Sequence, residues 1–157
     1  MPRFKEADFY YGSVLSILFS NHITPVLIEN NSDRQVYDYT TNKGNFRAFI
    51  KYRTTKKMVK QNDYNCWDFN IANDCVEIKQ YFESGYNVIM FLVCGTTELK
   101  ESELAILTKD DLIELFNQGK KTISISRKKH EKAFRIAMGS GRGKSLTIKN
   151  NRIDELF

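Results

Sequence analysis

The chain has 157 residues, of which 41% are apolar, 27% charged and 13% aromatic. That length predicts a single domain spanning 1–157, and the composition excludes a disordered or membrane-embedded chain. The net charge of +5 hides a segregation: residues 1–60 hold ten Lys/Arg against five Asp/Glu, residues 61–118 three against eleven, and residues 119–157 eleven against three. Either that field steers an anionic partner to one side, or the acidic middle neutralises the basic flanks.

In chain order, Phe4, Ala7, Tyr11, Val14, Leu15 and Leu18 recur at helical spacing and predict an amphipathic first helix ending near Asn21. Phe9-Tyr10-Tyr11 surrounds that helix, so part of the trio needs a packed neighbour or a partner protein. His22 reads as the helix's C-terminal cap. Pro25 opens a short strand, Val26-Leu27-Ile28, and Asn30 to Asp33 form a turn. Arg34 to Thr41 alternates as a strand, Asn42-Lys43-Gly44-Asn45 is a hairpin turn, and Phe46 to Thr54 returns. Thr55 to Tyr64 is polar and basic, hence a loop, and Trp67 and Phe69 mark a short strand. Asp74 followed by Glu77 has the spacing of a capping box, with Gly85 as the stop of the second helix. Cys75, Ile78, Tyr81 and Phe82 give that helix its buried stripe. Val88 to Cys94 is a continuous apolar run, a strand covered on both faces. Leu104 to Leu107 is another short strand. Thr108 and Asp111 cap a third helix carrying Leu112, Leu115 and Phe116, and Gly119 ends it. Thr122–Ser126, Ala133–Met138 and Ser145–Lys149 read as short strands between basic or Gly-rich turns.

With a four-residue hairpin loop, Tyr39 opposes Ala48, Asp38 opposes Phe49 and Val36 opposes Lys51. Asp38 and Lys51 then lie diagonally adjacent on one face, which Arg47 and Arg53 share. Tyr37, Tyr39, Ala48, Ile50 and Tyr52 face the other way. The order helix, three strands, helix, buried strand over residues 4–94 resembles the core of the restriction-endonuclease-like fold, the PD-(D/E)xK nuclease superfamily. The resemblance implies an acid on the second strand and an acid-x-Lys triplet on the third, holding Mg²⁺ or Mn²⁺ and a catalytic lysine. Carboxylates bind the hard cation that activates water, and lysine stabilises developing charge. Asp38 matches the strand acid and Lys51 the triplet lysine. The triplet, however, reads Phe49-Ile50-Lys51, with Phe49 where the acid belongs. Glu77 would replace the missing carboxylate, making Asp38, Lys51 and Glu77 the catalytic set and Asp38 and Glu77 the metal ligands, with Glu29 or Glu6 as a further oxygen. The competing readings are an ordinary Asp38–Lys51 ion pair and Glu77 as the cap partner of Asp74.

Met138-Gly-Ser-Gly-Arg-Gly-Lys-Ser145 lacks the first glycine of a P-loop, and Leu146-Thr147-Ile148 continues as a strand, so it reads as a hairpin turn. Arg127, Lys128, Lys129 and His130, with Lys132, Arg135, Arg142 and Lys144, form the strongest basic region, suited to phosphate contacts without sequence specificity. Its alternative is a solvated turn, in which His130 also sits. Cys66, Cys75 and Cys94 include no CxxC pair, which argues against a disulfide or zinc framework and for the cytoplasm. No signal peptide is legible, and the longest apolar run is too short to span a bilayer.

The expected fold is α+β: a mixed central sheet flanked by helices, core about 4–118, with a small β-rich basic extension about 119–157. The expected function is a non-catalytic, degenerate nuclease-like protein associated with nucleic acid. Arg47, Lys51, Arg53 and the 127–144 region would touch a DNA or RNA backbone, or serve in a nucleic-acid-processing complex. The nuclease resemblance would tie such a protein to restriction, defence or mobile elements. No cofactor is expected unless an active nuclease requires Mg²⁺ or Mn²⁺. The alternatives are a protein-interaction module, forming a homo-oligomer or binding a stable partner, and an active metal-dependent nuclease.

Overall fold

The computed structural model describes residues 3–54, 57–59, 64–139 and 145–156, with 57–59 and 64 described by their backbone. In chain order the elements are α1 (Glu6–Ser20), β1 (Val26–Asn30), β2 (Gln35–Thr41), β3 (Gly44–Arg53), β4 (Lys57–Val59) and β5 (Tyr64–Asn70). They continue with α2 (Ala72–Glu83), β6 (Val88–Cys94), a 3₁₀ turn (Leu99–Glu101), β7 (Glu103–Leu107) and α3 (Lys109–Asn117). Last come β8 (Thr122–Lys128), β9 (Ala133–Ala137), β10 (Ser145–Lys149) and α4 (Ile153–Leu156). The fold is α+β, with a mixed sheet ordered β1-β2-β3-β6-β7 and an antiparallel sheet ordered β10-β9-β8-β5-β4. Among the described residues no helix is long and apolar enough to cross a membrane.

The mixed sheet is built around β6, whose seven residues are all buried. It pairs in parallel with β3 and antiparallel with β7. A parallel neighbour requires a crossover, and the β4–β5 excursion and α2 supply it. One face of the sheet, with Tyr37, Ala48, Ile50 and Phe91, packs on Tyr10, Val14 and Leu18 of α1. The other face, with Val36, Phe49, Met90 and Leu92, packs on Ile78 of α2, Leu112 of α3 and the inner side chains of the antiparallel sheet, Trp67, Phe69, Ile125 and Phe134. Chain-period alternation along β2 and β3 thus divides the side chains as the sequence predicts. At the end of β6, Gly95 admits no Cβ, which would meet the Tyr10 ring at 2.8 Å and the Arg53 carbonyl at 2.9 Å. The same glycine's carbonyl accepts from the Trp67 indole at 2.9 Å, tying the two sheets together.

Four expectations are corrected. The β2–β3 turn closes on Asn42 and Lys43, with Thr41 paired to Gly44, so Asp38 opposes Arg47 and Val36 opposes Phe49. The slip is two residues, which preserves the faces and changes the partners. Part of the expected 55–64 loop is β4, which pairs with β5. Helix α2 begins at Ala72 after the N-cap Ile71, so Asp74 lies inside its first turn and is no cap. The Asn70 side chain serves the end instead, its Oδ1 accepting from the Ala72 amide. Finally, the strands after residue 118 are not appended to a finished core. β8 pairs along β5, Arg127 reaches Glu103, and Arg152 donates to Asp111 and to the Ile106 carbonyl. The expected capping box at Thr108 and Asp111 is present, and His22 follows the C-cap of α1 with φ 61°.

Candidate functional site

Arg34, at the threshold of β2, gathers acids from two elements. Its Nε and Nη2 donate to the two oxygens of Glu29 at 2.6 and 3.2 Å. Nη1 donates to Asp74 Oδ1 at 2.6 Å, and Nη2 also to Glu77 Oε2 at 2.5 Å. Four of the five guanidinium N–H groups are thereby used, and the planar fork fits carboxylates well. Its underside rests on the Phe49 ring, 4.9 Å from the centroid. Burial opposes the charge of Arg34, but its hydrogen bonds to Glu29, Asp74 and Glu77 outweigh it and the pKa is raised. The reciprocal effect, hydrogen bonding from Arg34, lowers the pKa of Glu29.

Lys51 extends the network. On β3 it is only 4% exposed, and its ammonium donates to Asp74 Oδ2 at 2.6 Å, the Asn70 carbonyl at 2.6 Å and Asp33 Oδ2 at 3.1 Å. Three donors meet three acceptors. The hairpin acid behaves separately: Asp38 takes a bidentate grip from Arg47 at 2.8 and 2.9 Å. The Arg47 guanidinium also lies against both Tyr81 and Tyr86, at 4.8 and 4.6 Å from their centroids, the two tilted rings being themselves 5.3 Å apart. Tyr81 in turn donates to Glu77 at 2.7 Å.

The predicted catalytic trio therefore does not converge. Asp38 closes on Arg47, Glu77 on Arg34 and Tyr81, and Lys51 on Asp33 and Asp74. The carboxylates nearest Lys51 are held by cations of the chain itself, and among the described residues no three His, Cys, Asp or Glu side chains are arranged to hold a metal. Asp38 and Glu77 each accept from a cation of the chain, Asp38 from Arg47 and Glu77 from Arg34. Glu6, the other suggested oxygen, is exposed on α1. Arg34 is the residue that sequence reasoning missed. The signal was available in strand parity, since 34, 36 and 38 share the face of Asp38.

The predicted phosphate contacts separate into two groups. Arg47 and Lys51 are already engaged by carboxylates. Arg53 is exposed, with its Nε bonded to the Asp68 carbonyl. Arg127 donates to Glu103 Oε1 and to the Lys128 carbonyl. Lys128, Lys129 and Lys132 are exposed and have no carboxylate partner among the described residues. They sit in the β8–β9 turn, where the Glu131 amide bonds the Lys128 carbonyl and His130 takes φ 71°. Arg142 and Lys144 lie outside the described residues. Ala137 and Ser145, the strand ends flanking that stretch, pair at the far end of β9 from Ala133. Those ends are about 13 Å apart at the usual rise per residue.

Comparison with known proteins gives no match to this chain, whether to a protein-family model, a curated protein or a solved structure.

Proposed function

We propose that the protein is a non-catalytic, nuclease-like domain that associates with nucleic acid through the β8–β9 turn. The observation that carries this reading is the contrast between two sets of cations. Arg34, Arg47 and Lys51 are satisfied inside the molecule by Glu29, Asp33, Asp38, Asp74 and Glu77. Lys128, Lys129 and Lys132 are exposed at the turn of the β8–β9 hairpin. The resemblance to the restriction-endonuclease-like core is supported by the helix, the antiparallel β1-β2-β3 run, and β6 parallel to β3 after α2. The loss of catalysis is supported by the engagement of these acids with cations of the chain: Glu29, Asp74 and Glu77 accept from Arg34, and Asp33 and Asp74 from Lys51.

Filter binding of the protein to a nucleic-acid fragment across salt concentrations tests the reading. Retention should fall steeply with salt, and replacing Lys128, Lys129 and Lys132 with Gln should lower the log–log slope by about 0.9 per lost duplex contact. No retention at low ionic strength removes the proposal.

A protein-interaction role is favoured by a different observation. Val26, Leu27 and Ile28 are 60%, 52% and 47% exposed on β1, the terminal strand of the mixed sheet. Exposed apolar edge strands are sites of association. Light scattering of the purified protein tests it, and a monomer at all concentrations with no partner in a pull-down counts against it.

A further inference from the structure

We infer that the outer face of the antiparallel sheet is the surface on which the nucleic acid lies, and that the polymer it accepts is double-stranded. The inference rests on the nucleic-acid reading above and specifies its surface and its partner. Alternation sends Ile123, Ile125, Phe134, Ile136 and Ile148 into the core. The residues between them point the other way. Ser124, Arg135, Thr147 and Lys149 are all exposed, so none of the helices covers this side. Register joins them across the strands: Ser126 pairs with Arg135, and Arg135 with Thr147. Hydroxyl, guanidinium and hydroxyl thus form one row about 10 Å wide over two strand spacings. The lysine turn lies at the β8–β9 end of the same sheet.

The chemistry of this face discriminates between partners. Among its described residues this face has no apolar core typical of protein interfaces, its small apolar members being Ala133, Ala137 and the half-buried Cys66. Single-strand binders present aromatic rings for base stacking. Among the described side chains of this sheet, Trp67, Phe69 and Phe134 are turned inward and at most 1% exposed. On the β5 side of this face Cys66, Asp68 and Asn70 stand opposite Ser126, Ser124 and Thr122, so the part suited to phosphate and sugar is the β8–β10 side, with its hydroxyl donors and cations, groups that bind without reading sequence. Charge agrees: the ion pairs on this side, Arg135–Glu131 and Lys149–Glu155, are exposed to solvent, so phosphate oxygens can replace the carboxylates. A duplex offers one charge per about 1.7 Å of axis, so about eight fall along the ~13 Å length of β9, against about four for a single strand.

Fluorescence anisotropy of a labelled 20-bp DNA duplex, the matching RNA duplex and each single strand tests the inference. The expected result is duplex binding about tenfold or more tighter than single-strand binding, as the higher charge density demands. The preferred duplex, DNA or RNA, names the polymer. Thr147→Glu, an exposed change away from the core, should weaken duplex binding about tenfold or more, and Ser124→Glu should do the same independently. Single strands bound as tightly as duplexes overturn the inference and leave the nucleic-acid reading standing. Unchanged duplex binding by both Glu variants, each folded by circular dichroism, also overturns it. Failure of every polymer to bind removes both.

Discussion

Asp74 and Lys51, 23 residues apart, meet at 2.6 Å with side chains only 1% and 5% exposed. This pair fastens the first turn of α2 to the middle of β3. The second oxygen of Asp74 accepts from Arg34 at the start of β2, so one carboxylate joins three elements. A buried charge pair contributes little net stability compared with an apolar substitute, but removing one member strands the other.

Asp74→Ala should therefore cost about 3–5 kcal/mol in urea unfolding, because Lys51 and Arg34 both lose their deepest acceptor. A loss below about 1 kcal/mol, the scale of an exposed pair, would mean that solvent already reaches this contact.

Glu29 gives the molecule an acid-sensitive limb. Hydrogen bonding by Arg34 holds its folded pKa below the ordinary value, so the deprotonated form is favoured on folding. That contribution is complete above the unfolded glutamate range, about 4.3, and is lost as pH falls through the lower folded value. Melting temperature should drop as pH is lowered from about 5. Arg34→Met should be less stable at neutral pH, and its acid limb should be shallower because the favoured anion is gone. Parallel acid limbs in the two proteins would contradict the assignment.

Arg47 is held by shape as well as by charge. Arg47→Lys keeps the cation but loses the bidentate contact with Asp38 and the guanidinium's contacts with the Tyr81 and Tyr86 rings. The Asp38 side chain is 38% exposed, so the charge contribution is screened. A loss of about 1–2 kcal/mol is expected, mostly from the contacts between the guanidinium and the two rings. A double-mutant cycle with Tyr86→Ala should recover a coupling of about 0.5–1 kcal/mol.

Millimolar Mg²⁺ or Mn²⁺ should leave the melting temperature of the wild-type protein unchanged and produce no plasmid cleavage. A ligand that binds only the folded state stabilises it by mass action, so a concentration-dependent rise would reveal a metal site that the ion pairs of Arg34 do not suggest. Cleavage abolished by Asp38→Ala would restore the active-nuclease reading.

Local chemistry made much of this architecture legible. The run from Val88 to Cys94 has no polar residue, so it had to be a strand covered on both faces, and β6 is one. Alternation assigned Tyr37 and Ile50 to one side and Phe49 to the other. Thr108 and Asp111 are three residues apart, close enough for sequence to pair them correctly. Asp74 and Glu77 have the same spacing but another fate, because their partner Arg34 stands 40 and 43 residues away. The hairpin register turned on whether two or four residues close the loop, and both choices satisfy the same alternation.

By itself the sequence determined the apolar stripes of the helices, which face each side chain of β2 and β3 takes, and that cations and acids are divided among segments. Period and composition act over a few residues and need no knowledge of the distant chain. Tertiary structure alone decided which cation meets which acid, since a charge interacts with whatever folding brings within a few ångströms. It placed Lys51 beside Asp74 and left the β8–β9 lysines in solvent, and so separated cations that the sequence had grouped as equals.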